Sequence, residues 1–306
     1  MGKGVETLFG VFHKLKIALT GASGFIGSAL LKFLQKQGIE VVLITRTRKG
    51  PTDLIWGELT QTSLDGVQAV VHLAGESISG LWTKVKKGRI LESRLASTKA
   101  LVTIFSKCKK RPPLFLSASA IGFYGDRGEE TLTENSVHGH GFLADVARLW
   151  EEASMPLKDL GVRLIHARLG IVLGKEGGML KKLLLLHRLG LGARFGSGKQ
   201  WISWIALIDV LRAVQWMLKG TIDGPVNLSS PNPLRQKEFS QIISMKMGKK
   251  VHFTLPAWLL HLMLGQMGDE LLLSSTKAVP QKLLDEHFFF LKPTLANISY
   301  IRNNDP

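Results

Sequence analysis

Three glycines at positions 21, 24 and 27, in the stretch TGASGFIGSALLKFL, have the spacing of a dinucleotide phosphate site. The first permits a tight turn out of a strand. The second leaves no Cβ between backbone N–H groups and a pyrophosphate, and the third lets a helix pack closely on a sheet. The helix start offers unpaired N–H groups and a partial positive charge to the phosphates. The residues after the next strand bear on which dinucleotide is bound. Thr45, Arg46, Thr47 and Arg48 include no carboxylate to accept from a ribose 2′-hydroxyl. A guanidinium can instead grip a 2′-phosphate with paired hydrogen bonds. The expected cofactor is NADP(H), with Arg46 as the main contact and Thr45 assisting; the alternative is a solvated arginine.

These residues need a strand, turn, helix and strand to position them, and the chain supplies that order. KIALT (16–20) is rich in β-branched and aliphatic residues, as a strand buried on both faces requires. Apolar residues then follow at helical spacing up to Leu34, Gly38 caps the helix, and EVVLIT (40–45) reads as the second strand. AVVHLAG (69–75) is another buried strand, and its end would bring Leu73, Ala74 and Gly75 beside the cofactor. Glu76 follows, facing the nicotinamide side or capping the next helix. A helix is expected over 86–107, carrying Arg94, and LFLSASA (114–120) is a strand opening into the loop IGFYGDRGEE.

Bulk properties fit a soluble α/β enzyme or binding protein. The 306 residues are 45% hydrophobic, enough for a sizeable core. Forty Lys and Arg against 24 Asp and Glu give a net charge of +16, which favours anionic partners. The basic residues are scattered, with no aromatic-interleaved stripe and no nucleic-acid motif. The single cysteine, Cys108, excludes an internal disulfide and fits a reducing compartment. The apolar run MLKKLLLLHRLGLG is broken by Lys181, Lys182, His187 and Arg188, too often for a membrane span. The first 15 residues read as an extension without a secretory cleavage site. No metal-ligand spacing is found, and His261 and His287 read as structural.

TGASGFIG, HLAGE, SASAIGFYGDRGE, LTENS, FLADVARLWE, RLGIVLGKEGGML, LGLGARFGSGKQWISWI and LPAWLLHLMLGQMGDELLL occur in the order expected of the extended short-chain dehydrogenase/reductase superfamily. They resemble most its NAD(P)-dependent epimerase subgroup, family 39U, and the resemblance runs from about Lys16 to the C-terminus. It implies a Rossmann-type, doubly wound parallel sheet over 16–170, its sheet completed by later segments. It also implies a smaller α+β substrate lobe over 171–306, with helices from about 256. By position, the cofactor contacts it implies are Gly21, Ser23, Gly24, Phe25, Ile26, Gly27, Thr45, Arg46, Leu73, Ala74 and Arg94. Ser119 matches the superfamily's catalytic serine or threonine.

The superfamily's Tyr-x-x-x-Lys pair falls on Phe142 and Val146; neither side chain can exchange a proton, and four apart on a helix the two would present one apolar patch to the nicotinamide or an apolar substrate. In the superfamily a phenol beside a lysine moves the proton as hydride moves. Tyr124, five residues after Ser119 and with Arg127 nearby, is either a loop tyrosine packing under the lobe or the first substitute; Asp126 and Glu76 are the others. Trp201 and Trp204 are candidate aromatic walls for a ring substrate, Trp204 more simply a packing residue. Ala206 and Ile208 replace a histidine and an aspartate usual in the subgroup. Two readings follow: an epimerase or reductase with altered acid–base machinery, or a non-catalytic NADP(H)-dependent binding or regulatory protein. The other expectations are a small-molecule substrate, no nucleic acid or membrane partner, a monomer or homodimer, and a cytoplasmic location.

Overall fold

The computed structural model describes residues 15–48, 50–188, 192–248 and 253–301. Nearly all of the expected N-terminal extension, residues 1–14, lies outside them.

Seven parallel strands form the central sheet: β1 (Lys16–Thr20), β2 (Glu40–Thr45), β3 (Leu54–Ile55), β4 (Ala69–His72), β5 (Leu114–Ala120), β6 (Arg163–Leu169) and β7 (Gly224–Leu228). Their spatial order is β7-β6-β5-β4-β1-β2-β3. The order reverses between β1 and β4, and in such sheets ligands bind at that switch point, beyond the carboxyl ends of the strands. Strand residues alternate between two buried layers. Ile17, Leu19, Val71 and Leu116 pack against Leu30 and Leu34 of α1 (Phe25–Lys36). Ala18, Val70 and Phe115 pack on the other face against Leu101 and Phe105 of α2 (Lys84–Lys107). Burial on both faces is why the strands read as nearly continuous apolar runs.

Thr83 caps α2 through its side chain, which accepts from the Lys86 N–H. The helix therefore starts two residues earlier than the expected 86. Two further helices, α3 (Phe142–Ser154) and α4 (Leu207–Lys219), flank the sheet. Asp209 lies in the first turn of α4, fully buried, and its carboxylate accepts from the N–H groups of Leu291 and Lys292, pinning the returning C-terminal chain.

The C-terminal stretch is less helical than expected. After α5 (Ala257–Leu264), Gly265 takes a φ of 55° and ends the helix; one turn and a short π-helix (Asp269–Leu273) follow. Lys277–Ala278 then forms a strand beside Thr131–Leu132, and only five- and three-residue helices come after it. Gly265, Pro280 and Pro293 interrupt the apolar periodicity that suggested continuous helices. No helix among the described residues is long and apolar enough to cross a membrane.

Candidate functional site

The phosphate loop is built almost wholly from backbone. Gly21 has a φ of 71°, and a Cβ there would lie 2.7 Å from the Leu73 carbonyl. A Cβ on Gly27 would stand 2.1 Å from the Gly21 oxygen. Neither position admits a side chain. Gly24 differs: its Cβ would meet only the Gly21 oxygen, at 3.3 Å, so its bareness keeps the space in front of the loop clear. Gly24 is the N-cap of α1, with no side-chain cap and no acidic residue in the first turn. The first N–H groups of α1 are thus left for an outside acceptor, which fits a pyrophosphate. The Phe25 ring is already used: a Cβ on Gly174, Gly177 or Gly178 would strike it at 2.5–2.9 Å. Phe25 and Ile26 both pack, partly buried, against the core.

Thr20 ties β1 to β4. Its hydroxyl accepts from the N–H groups of Leu73 and Ala74 and bonds His72 Nδ1 at 2.8 Å. Because the oxygen already accepts twice, its proton goes to Nδ1, leaving His72 Nε2–H to donate to Thr98 or Ser97. Burial pulls His72 down to about 3, so the ring is neutral. At the end of β2, Thr45 donates its hydroxyl to the Thr47 carbonyl. Arg46 is exposed and hydrogen-bonded to no described residue, while Arg48 is held by the Asp53 carbonyl and Glu58. Glu76 pairs with Lys86 at 2.7 Å; that contact, with Arg89 and Arg46 adding their charge, holds its carboxyl below the usual range. Arg94 lies behind Gly75, donating to the carbonyls of Glu76 and Ile90 and stacking 4.9 Å from the Trp150 ring. It braces the β4 loop from behind.

Ser119 and Tyr124 enter one buried network, but not as an acid–base pair. Ser119 Oγ donates to Glu151 Oε1 at 2.7 Å, and Arg168 grips both Glu151 oxygens at 2.8 Å. Burial alone would lower Arg168, but Glu151 outweighs it and holds the guanidinium above its ordinary value. The Tyr124 phenol donates to Asn227 and accepts from Arg168, with no exposure to solvent. Burial pushes it up despite Arg168. Of the two readings of Tyr124, this is the packed one; the activating Arg127 of the other instead forks onto Glu130. Asp126 only accepts from the Gly128 N–H in its own turn.

The expected apolar pair on α3 is also split. Val146 is 4% exposed and belongs to the packed interior, whereas Phe142 is half-buried at the helix start. The Phe142 ring meets Trp82 edge-on, with centroids 5.0 Å apart. Glu270, from the distant π-helix, accepts from the first two N–H groups of α3, Phe142 at 2.9 Å and Leu143 at 2.8 Å. Gly141 has a φ of 115°, and a Cβ there would press on that carboxylate. Trp201 is no open wall: its ring is covered by Arg235 at 4.1 Å and Lys277 at 4.8 Å, and its N–H donates to Glu129. Arg235 also donates to Glu129, and that contact first, then the Trp201 N–H, holds the carboxyl down at about 2. Trp204 is fully buried. Sequence reasoning passed over His72, Glu151, Arg168 and Glu270. Of these only Glu151 carried a signal, an acid on the apolar side of a helix.

Comparison with known proteins now has a geometry to stand on. The model of the NAD dependent epimerase/dehydratase family matches residues 17–228, and a domain of unknown function, DUF1731, matches residues 255–298. The chain belongs to the NAD dependent epimerase/dehydratase family. Within that family it is 32% identical over 286 residues to the epimerase family protein YfhF of Bacillus subtilis, covering 90% of this chain and 94% of that protein. It is 34% identical to the Mycobacterium bovis epimerase family protein Mb2239, with 91% and 94% covered. The crystal structure of human SDR39U1 with NADPH superposes with a TM-score of 0.87 at 28% identity, covering 95% of this chain and all of that one. A Corynebacterium glutamicum nucleoside-diphosphate sugar epimerase gives a TM-score of 0.77 at 32% identity, over 96% of this chain and 60% of its own. Membership of that family supports a nicotinamide cofactor for this chain.

Proposed function

We propose that this chain binds NADP(H) and works as an oxidoreductase of the epimerase or reductase type on a small molecule. The observation that carries the choice of NADP(H) is Arg46: an exposed guanidinium, bonded to no described residue, at the end of β2 where no carboxylate stands. The relative crystallised with NADPH supports the same choice. In this reading the N–H groups of Ser23, Phe25, Ile26 and Gly27 hold the pyrophosphate, while that of Gly24 closes the turn onto the Gly21 carbonyl. Arg46, aided by Thr45, holds the 2′-phosphate, and Leu73, Ala74 and Gly75 line the crevice with Arg94 bracing them. Bound there, the nicotinamide would give or take a hydride. Because the Ser119 proton is committed to Glu151, the Ser119 oxygen acts in this reading as an acceptor and not as a donor. A buried, lone cysteine supports a reducing, cytoplasmic setting.

The test is NADPH fluorescence titrated against wild type and Gly24→Val. The variant keeps its fold and loses binding, because its side chain fills the space a pyrophosphate needs. Equal affinity in both would sink the phosphate-loop reading. A second reading, a binding protein without turnover, is favoured by the commitments of Ser119 and Tyr124 and by the apolar Phe142 and Val146. NADPH consumption over a panel of small carbonyl compounds separates the two.

A further inference from the structure

By the resemblance to the superfamily, Phe142 takes the place of its tyrosine and Val146, which is buried, the place of its lysine. A cation nevertheless reaches this place from another helix. The Lys87 ammonium, from the first turns of α2, lies 5.0 Å over the centre of the Phe142 ring. It donates to Gln266 Oε1 at 2.8 Å; Gln266 Nε2 in turn donates to Glu270 Oε1 at 2.7 Å, and Glu270 is locked onto the start of α3. A flexible lysine is thereby fixed at three levels: an aromatic face beneath it, an amide beside it, and a carboxylate that anchors the amide. Its remaining N–H groups have no acceptor among the described residues. A surface lysine held only for solubility needs no such scaffold, since ordering its side chain costs entropy.

We propose that Lys87, delivered by α2 and held by the C-terminal segment, is the cation of the reaction site and takes over from the lysine that α3 lacks at Val146. The proposal rests on the reading of residue 142 as the reaction position. When a dihydronicotinamide reduces a carbonyl, hydride forms the new C–H bond and the π electron pair moves to oxygen. That oxygen takes its proton from the Lys87 ammonium, and solvent water re-protonates the amine. The reductant becomes the oxidised nicotinamide and the carbonyl becomes an alcohol. Gln266 and Glu270 are positioning residues.

The test puts the phenol back and needs no cofactor, so its failure is distinct from failure of the NADP(H) reading. Phe142→Tyr is compared with Phe142→Tyr/Lys87→Met by following tyrosinate absorbance against pH. The two native tyrosines do not interfere, because burial raises Tyr124 and pushes Tyr300 up to about 12. With Lys87 present the new phenol titrates lower, by roughly 0.6 to 2 pH units for a charge on the order of 5 Å away. Equal values in the two backgrounds overturn the proposal. Should the tyrosine variant fail to fold, wild type carries the test after its lysines are dimethylated with ¹³C, the Lys87 signal being assigned with Lys87→Arg. That signal lies upfield under the Phe142 ring and loses the shift in Phe142→Leu; a signal that does not move overturns the proposal equally.

Discussion

The proposed cofactor crevice has two ends made in opposite ways. At the phosphate end, one continuous stretch from Thr20 to Gly27 does the work, mostly with backbone and with the absence of side chains. At the proposed reaction end, residues from distant parts of the chain act through side chains in two groups: Ser119, Glu151 and Arg168 hold one another, and Lys87, Gln266 and Glu270 lead onto the start of α3 at Phe142. A backbone site needs only local geometry, so it tolerates change elsewhere. A side-chain site depends on every partner, so one loss leaves another group buried and unmatched.

The sharpest break of that contrast is Glu151→Ala. It leaves the Arg168 guanidinium buried without its carboxylate, and loss of one partner of a buried pair costs about 3–5 kcal/mol. Urea unfolding reads the loss directly. A decrease below about 1 kcal/mol would mean that the network adapts as freely as a loop does.

Acid comes next. Burial holds His72 at about 3 and His166 at about 4, both below the ordinary value near 6.5. Depressed folded values mean that the unfolded chain takes up protons first as pH falls. Stability contributed by these rings is complete above about 6.5 and is lost on going down toward 4, at about 1.4 kcal/mol per pH unit for each ring. Unfolding at a series of pH values, compared with His166→Gln, separates the two rings. A flat profile between pH 7 and 5 would contradict their burial as neutral groups.

At the phosphate end, Arg46→Asp weakens NADPH binding by about 1.5–3 kcal/mol, ten- to a hundredfold or more, and leaves thermal stability unchanged. NADH affinity rises relative to NADPH. Wild type that binds both dinucleotides equally would remove Arg46 from the site. The smallest effect expected is Glu270→Ala, which strips α3 of the carboxylate on its first two N–H groups. Loss of a helix cap costs about 1 kcal/mol, and hydrogen exchange should rise both at the start of α3 and at Gln266–Leu273. Exchange that rises at one of the two places alone would show that they are not joined.

The same contrast explains what could be read from the amino-acid order. The glycines, the strands around them and Arg46 are local signals, each interpretable within some thirty residues. The two-layer core was equally plain in the apolar runs of β1, β4 and β5. Tyr124 could be read two ways because its closeness along the chain to Ser119 allows a shared cleft, and only Arg168 and Asn227, more than forty residues further on, decide for the packed one. Trp201 looked available because nothing near it in the chain announces Arg235 or Lys277. Glu270 and Lys87 lie 183 positions apart, and no periodicity links them.

The ring of Phe25 bears on how this protein can be re-engineered. It sits in a hollow that exists only because positions 174, 177 and 178 are glycines. The first half of the chain and the turn that opens the second half are therefore cut to a shared template. A chimera joined near residue 170 inherits one side of that template from each parent, and works only when both parents carry the same ring and the same three gaps. The sensible unit for shuffling parts among relatives is thus residues 16–178, with its seam moved beyond the glycines.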